Sequence, residues 1–214
     1  ISSSDWSSDV CSSDLALSGT LTEKNLAMSF AGECMARTKY AYFAEVAKKQ
    51  GFEHISSIFA ETAENEREHA KIFLNLLKQN NGGSIEVPAS VPLTGIGSTK
   101  ANLQAAANGE NAEHTKAYPK FAEIAKNEGF TGIAKVFQMI ADVEKQHEIR
   151  FRKLLEQVEN GTVFKRNQRM TWKCRNCGFI MEGYAAPKVC PACNVAQSFF
   201  EVTEIGRASC RERV

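Results

Sequence analysis

Four cysteines near the end of the chain stand in two pairs of the form Cys-x-x-Cys. The four are Cys174, Cys177, Cys190 and Cys193, with twelve residues between the pairs. This spacing is typical of a tetrahedral site in which four sulfur atoms hold one metal ion, and zinc and iron both suit it. About 35 residues around the pairs are too few to build a sufficient core, so the metal must contribute to folding.

A second set of metal-ligand types lies in the first three quarters of the chain. Two Glu-x-x-His pairs occur 78 residues apart, and residues three apart share one face of a helix. Two further glutamates stand among apolar neighbours, where an unpaired carboxylate would be costly. The pairs are Glu66–His69 and Glu144–His147, and the single acids are Glu33 and Glu110. One glutamate from each of two helices plus Glu-x-x-His from each of two others is the pattern of di-iron and di-manganese carboxylate proteins.

The two halves of this pattern differ at one acid. Glu113 follows Glu110 by one helical turn, whereas the matching residue of the first half is Ala36. Glu113 is either a solvated residue or an extra ligand that makes the two metals inequivalent. Tyr40 and Tyr118 also recur after the single acids, and ligand carboxylates are natural hydrogen-bond acceptors for their hydroxyls if these are buried.

An internal repeat provides the elements that position these residues. Residues 43–52 return as residues 121–130 with an offset of 78, while Glu33 returns as Glu110 with an offset of 77. The second copy therefore has one extra residue, and we expect a π-bulge or kink near residues 115–119, where Pro119 donates no backbone hydrogen bond. Each copy predicts a helical hairpin.

Helical periodicity and breaker residues predict four long helices, with Thr22 as the first N-cap and a long crossover at residues 81–98. Such an arrangement indicates a ferritin-like four-helix bundle. The chain is thus predicted to be mainly α, with a small β ribbon at the cysteines. His54 and His114 match neither each other nor the motif, and we interpret them as surface or structural residues.

Composition narrows the function classes. The chain has 214 residues, a net charge of +1 and no apolar run near the roughly 20 residues of a membrane span, so neither nucleic acid nor a membrane is an expected partner. Four of the seven cysteines stand in two tight pairs, which predicts metal ligands in a reducing, cytoplasmic compartment, while Cys11, Cys34 and Cys210 are scattered. We expect a foreign or disordered leader at residues 1–15, a bundle at 16–160, a linker at 161–169, a cysteine domain at 170–204 and a foreign tail at 205–214.

With both metal modules in this order, residues 16–204 resemble the rubrerythrin family. The resemblance is carried by residues 30–33 (Phe-Ala-Gly-Glu), 61–64 (Glu-Thr-Ala-Glu), 66–69 (Glu-Arg-Glu-His), 109–110 (Gly-Glu), Glu144-x-x-His147 and the paired Cys-x-x-Cys ribbon. Asn194 departs from it, because rubredoxin-like ribbons often have Gly after the last cysteine. That change relaxes the second cysteine loop without removing a ligand.

The resemblance implies iron at both sites and reduction of hydrogen peroxide. It implies that Glu66 and Glu144 bridge two irons and that Glu33 is a terminal ligand of the first. Glu110 and His147 would serve the second iron. Glu113 and His69 would compete for the first iron as its redox state changes, and ferric iron, being harder, favours the carboxylate.

The same resemblance implies a homodimer in which the ribbon of one subunit faces the di-iron site of the other. Electrons would come from a rubredoxin or an NAD(P)H-dependent reductase. Two alternatives remain open at this point: a ferroxidase or iron-handling protein, and a metal-stabilised binding module with structural zinc in the ribbon.

Overall fold

The structure is a computed structural model that describes residues 16–78, 83–88, 91 and 95–203. Both ends predicted to be foreign, residues 1–15 and 205–214, lie outside the described residues. The helices are α1 (Leu21–Lys49), α2 (Glu53–Leu77), α3 (Thr99–Ala112), a π-helical segment (Glu113–Ala117), α4 (Tyr118–Asn127) and α5 (Thr131–Glu159). Within these ranges, no helix has the length and apolar character needed to cross a membrane.

The helices form the predicted bundle of two hairpins. α1 packs along α2, and α3 with α4 packs along α5, so α3, the π segment and α4 together act as one long helix of the bundle. Two aromatic clusters fill the core. One contains Tyr40, Phe59 and Phe151, and the other contains Tyr118 and Phe137. Each cluster thus includes one of the two tyrosines singled out in the sequence.

The helix starts correct one prediction. The N-cap of α1 is Thr20, whose hydroxyl accepts a hydrogen bond from the Glu23 amide at 3.1 Å. Thr22, predicted as the cap, lies inside the helix and is buried. Its amide and hydroxyl donate to Glu128, at 2.8 and 2.6 Å, so the free N–H groups of α1 meet a carboxylate from the end of α4.

The reciprocal contact occurs at the other hairpin. Gln50, at the end of α1, accepts a hydrogen bond from the Thr99 amide at the start of α3 at 2.9 Å. Gln50 and Glu128 are 78 residues apart and occupy equivalent positions of the repeat. Each hairpin therefore caps the other, which couples the two halves of the bundle at both ends.

The predicted irregularity in the third bundle helix is confirmed. The π segment is Glu113–Ala117, beginning two residues earlier than the expected range. Pro119 stands in the first turn of α4, immediately after the segment. A π turn absorbs one extra residue without ending the helix, so the insertion stays local and the ligand positions downstream keep their register.

The ribbon is a three-stranded antiparallel sheet in the order β2-β1-β3, formed by β1 (Lys165–Cys174), β2 (Ile180–Ala185) and β3 (Phe200–Val202). β1 begins at Lys165, so the predicted linker at residues 161–169 is in part strand. Trp172 pairs with both neighbouring strands and is fully buried, together with Phe200. These two aromatic side chains provide most of the small core beneath the cysteines.

The ribbon packs on the end of the bundle where α2 begins. Phe52 stacks on Phe164 with ring planes 5° apart and centroids 6.1 Å apart. The Nδ1 atom of His54 lies 3.0 Å from a carboxylate oxygen of Glu201 in β3. His54, predicted to be a surface or structural residue, therefore links the ribbon to the bundle.

Candidate metal centres

The repeated spacing of the acids and histidines brings them together inside the bundle. Two groups of four side chains form, each with its ligand atoms within 4.8 Å of one another. Both groups contain Glu66 and Glu144, one from each hairpin. The first adds Glu33 and His69, and the second adds Glu110 and His147. Two metal positions that share two carboxylates are the geometry expected of a bridged di-metal centre.

Distances within the groups show how closely the ligand atoms converge. The Nδ1 atom of His69 is 2.8 Å from Glu66 and 2.9 Å from Glu144, and 4.0 Å from Glu33. The Nδ1 atom of His147 is 2.7 Å from Glu144 and 3.2 Å from Glu66. Each imidazole therefore faces both bridging carboxylates.

The buried polar atoms fit metal ions. Within the described residues, the side-chain atoms without a hydrogen-bond partner include Glu33 Oε2, Glu66 Oε1, Glu110 Oε2, both Glu144 carboxylate oxygens and His147 Nδ1. His147 is close to two carboxylates, yet the angles are not those of hydrogen bonds. Buried acceptors in such numbers are costly unless a cation satisfies them.

The charges point the same way. Burial, followed by the charges of neighbouring carboxylates, raises the pKa of both Glu33 and Glu110 well above its ordinary range. Burial alone would lower the pKa of His69, but its close contacts with the Glu144 and Glu66 carboxylates raise it to about 10. Excess negative charge concentrated in an apolar core is offset by divalent or trivalent metal ions, and iron and manganese both suit this ligand set.

The two tyrosines bind the other two buried carboxylates, those of Glu110 and Glu33, crosswise. Tyr40, in α1, donates to Glu110 in α3, and Tyr118, after the π segment, donates to Glu33 in α1. Both hydroxyls are buried, and burial, together with the adjacent carboxylate, raises the pKa of each phenol well above its ordinary value. The phenols therefore remain donors, and the predicted contacts of both tyrosines with ligand carboxylates are confirmed.

Glu113 lies beside the centre but outside both groups of four. It is half-buried in the first turn of the π segment and lines a cavity of about 790 Å³ with Lys39, Tyr40 and Tyr118. Burial, followed by the charges of Glu144 and Glu66, raises its pKa to about 8, while the charge of Lys39 opposes the shift. In this structure His69, not Glu113, completes the first group.

Sequence reasoning missed one acid near the centre. Glu148 follows His147 directly and is buried at the contact between α5 and the π segment. Burial raises the pKa of Glu148, but hydrogen bonds from His114, Asn111 and Arg152 lower it to about 2. No ligand motif includes this position. The only signal in the sequence was the difference between the two copies of the repeat, because the residue equivalent to Glu148 is Ala70.

The four cysteines meet at the tip of the ribbon. Their sulfur atoms lie within 4.8 Å of one another, with 3.8 Å between Cys174 and Cys193 and 3.7 Å between Cys177 and Cys190. A tetrahedron with metal–sulfur distances of about 2.3 Å has edges of about 3.8 Å, so the site fits one such ion. Asn176 Nδ2 also donates to the Cys193 sulfur at 3.4 Å.

Both cysteine loops contain a residue with left-handed backbone after the second cysteine. Gly178 has φ 79° and Asn194 has φ 62°. Asparagine is among the few residues other than glycine that adopt this conformation readily. Asn194 therefore adopts the same left-handed conformation as Gly178, contrary to the relaxed loop expected from the sequence.

Models of known protein families match both parts of the chain. A family model described as Rubrerythrin matches residues 24–155, and one described as the rubredoxin-like domain of rubrerythrin matches residues 172–201. The chain belongs to the rubrerythrin family. The first match covers the bundle with all its candidate ligands, and the second covers the four cysteines, so iron is the expected metal at both sites.

Similar proteins share nearly the whole length. The chain is 53% identical over 186 residues to rubrerythrin of Porphyromonas gingivalis, covering 87% of this chain and 92% of the relative. It is 49% identical over 190 residues to rubrerythrin of Nitratidesulfovibrio vulgaris, covering 89% and 98%. These matches include both the bundle and the ribbon.

Solved structures agree with the fold. Nigerythrin in a mixed-valence state matches with a TM-score of 0.59 and 28% identity, covering 90% of this chain and 91% of nigerythrin. An open-pore ferritin of Archaeoglobus fulgidus matches with a TM-score of 0.56 and 16% identity, covering 66% and 85%. The ferritin match shows the fold of the bundle alone.

Proposed function

We propose that this oxidoreductase reduces hydrogen peroxide to water at the di-iron centre, with electrons relayed through the four-cysteine iron site, in defence against oxidative stress. The overall change consumes one peroxide, two electrons and two protons and yields two waters. The observation that carries the proposal is the asymmetry at the first metal position. There His69 belongs to the ligand group, and Glu113 lies beside the group but outside it.

Two bound ferrous ions would supply one electron each, and both would act as Lewis acids toward the peroxide oxygens. The chain's own residues supply the frame. Glu66 and Glu144 hold the two metal positions together, and Glu33 and Glu110 close the ends. Tyr40 and Tyr118 fix those terminal carboxylates by hydrogen bonds, which keeps both ends rigid while the Glu113 side remains adjustable.

Glu113 and His69 would exchange at the first metal position. A carboxylate suits ferric iron and an imidazole suits ferrous iron, so the exchange would follow the redox state. Two features support this role for Glu113. It stands on the π segment that is absent from the first half of the repeat, and it lines the 790 Å³ cavity that offers a small oxidant a route to the centre.

The ribbon would return electrons one at a time, and its position supports an intersubunit transfer. It packs on its own bundle beside His54, whereas Glu66 lies twelve residues later on α2, about 18 Å along the helix axis. A second subunit arranged head to tail would bring a ribbon nearer to each di-iron site. We therefore propose a homodimer. We also propose that the protein is cytoplasmic and receives electrons from a rubredoxin or an NAD(P)H-dependent reductase.

Glu113→Ala tests the proposal, because it copies Ala36 of the first half. The fully reduced, iron-loaded protein is mixed with peroxide, and reoxidation of both sites is followed by visible absorbance. We expect reoxidation at least about tenfold slower than in the unsubstituted protein, by analogy with the loss of other metal-site partners. Glu64→Ala, which removes an exposed glutamate of α2, is the matched control and should react at the original rate.

Three outcomes would overturn the proposal or a part of it. If Glu113→Ala reacts with peroxide at the original rate, the ligand exchange has no part in the reaction. If peroxide fails to reoxidise the reduced protein while dioxygen and ferrous iron are consumed together, the chain is a ferroxidase. Metal analysis that finds zinc in the ribbon would remove the electron relay.

A further inference from the structure

Polar contacts join the π segment to α5, and the first half of the repeat lacks the residues that make them. Glu148, on α5, corresponds to Ala70 on α2, and Arg152 corresponds to Leu74, both at an offset of 78. Asn111 corresponds to Cys34 at the offset of 77. The half that has the π segment and the additional acid Glu113 is therefore also the half that has this network.

The contacts converge on the carboxylate of Glu148. Its Oε2 atom lies 2.5 Å from His114 Nε2, and Oε1 accepts from Arg152 Nε at 2.5 Å. The side-chain amide of Asn111 donates to both oxygens, at 3.2 and 3.1 Å. One buried anion thus binds the last turn of α3, the π segment and its own helix, and such charge-assisted bonds are the stronger kind.

The network spans the junction that sets the direction of Glu113. Asn111 and His114 flank Glu113 in the chain, so Glu148 contacts a side chain on either side of it. The anchor point is the residue next to His147, which belongs to the second metal group. The network therefore attaches the π segment to the same stretch of α5 that carries Glu144 and His147.

We propose that Glu148 is a positioning residue that anchors the π segment to α5 and so directs Glu113 toward the first metal position. The role of Glu148 rests on the proposed exchange of Glu113 and His69, because it gives that exchange its geometry. Without the anchor, the π segment loses its only charged contact with α5 among those the described residues make, and Glu113 samples more orientations.

The test uses the iron-loaded full chain with Glu148→Ala, which copies Ala70 of the first half. Hydrogen exchange of the peptide covering residues 111–118 and iron-57 Mössbauer spectra of the oxidised and reduced states are measured. Exchange of these amides is expected to be at least about tenfold faster. The oxidised spectrum should lose the signature of a carboxylate-rich first iron, while the second iron keeps its own.

Two further variants make the test decisive. His114→Ala breaks the same contact from the π side, keeps the Arg152–Glu148 pair, and should give both changes, so it decides the matter if Glu148→Ala does not fold. Arg150→Ala is the control, because Arg150 pairs with Glu61 of α2 at 2.9 Å and makes an interhelical ion pair away from the π segment. It should leave both measurements unchanged.

The failures of the two proposals look different. Faster hydrogen exchange with an unaltered Mössbauer spectrum in Glu148→Ala would mean that Glu148 only stabilises the fold, and the positioning role would be overturned. If the unsubstituted protein itself keeps the same ligands at the first iron in both redox states, the exchange proposed for Glu113 is wrong, and the positioning role falls with it.

Discussion

Replacing Tyr118 by Phe removes a single hydroxyl from beside the first metal position. The tyrosine is 2% exposed and donates to Glu33 Oε1, while Glu33 Oε2 has no other donor among the described residues. In the variant, both oxygens of a fully buried carboxylate depend on the metal. A hydrogen bond to a charged group contributes about 1.5–3 kcal/mol, which corresponds to about a ten- to hundredfold weaker hold on the metal at that position.

Competition with an iron chelator measures this loss. The absorbance of the di-iron centre is followed after addition of the chelator to the oxidised protein, and the iron retained is counted at each time. Tyr118→Phe is expected to release iron about ten- to hundredfold faster, beginning with the iron on the Glu33 side. Tyr40→Phe should give the reciprocal result at the Glu110 side, because the two contacts are crosswise equivalents.

Tyr42→Phe is the matched control, since that tyrosine lies on the same helix as Tyr40 but is 47% exposed. It should release iron at the rate of the unsubstituted protein. If Tyr118→Phe also retains iron at that rate, the hydroxyl does not stabilise the ligand, and the crosswise support inferred from the geometry is wrong.

Three more perturbations probe the ribbon and its attachment. Burial lowers the pKa of His54, although the charge of Glu201 opposes this shift. An exposed His54 therefore binds more protons than the buried one below about pH 6.5, and packing of the ribbon on the bundle should weaken as pH falls through that range. Hydrogen exchange of residues 52–58 at pH 7.5 and 5.5 should show this weakening, and His54→Gln should remove the difference. Asn194→Val places a β-branched residue at φ 62° and should destabilise the second cysteine loop by about 1–2 kcal/mol. The variant should then lose the ribbon metal at a lower chelator concentration, and identical titrations would show that the position is not strained. Cys190→Ser removes a buried sulfur and should abolish the ribbon chromophore while the helical circular dichroism persists; a retained chromophore would exclude Cys190 as a ligand.

Much of the centre could be predicted because the repeat doubles the information. Glu66–His69 and Glu144–His147 stand at the same place in two copies of one unit, and spacing of three residues places each pair on one helix face. The π segment was predictable for the same reason, because one extra residue between two equivalent positions must be absorbed somewhere. Local rules and internal comparison were sufficient there.

Contacts between helices were less accessible. The hydrogen bonds of Tyr40 to Glu110 and of Tyr118 to Glu33 join residues 70 and 85 positions apart, and spacing alone did not assign the partners. The N-cap of α1 is Thr20 and not Thr22, whose amide instead donates to Glu128, more than 100 residues away. The ribbon strand likewise extended into the predicted linker through pairing of Lys165 with Ala185.

The sequence by itself determined which residues can bind metal, because ligand chemistry and helical spacing are local properties of the chain. The two Glu-x-x-His pairs and the four cysteines follow from those properties alone. Only the tertiary structure decided that His69 joins the first group while Glu113 remains outside it, and that Glu148 receives contacts from three residues. Those outcomes depend on how helices from different hairpins approach one another, and packing across the bundle has no period in the sequence.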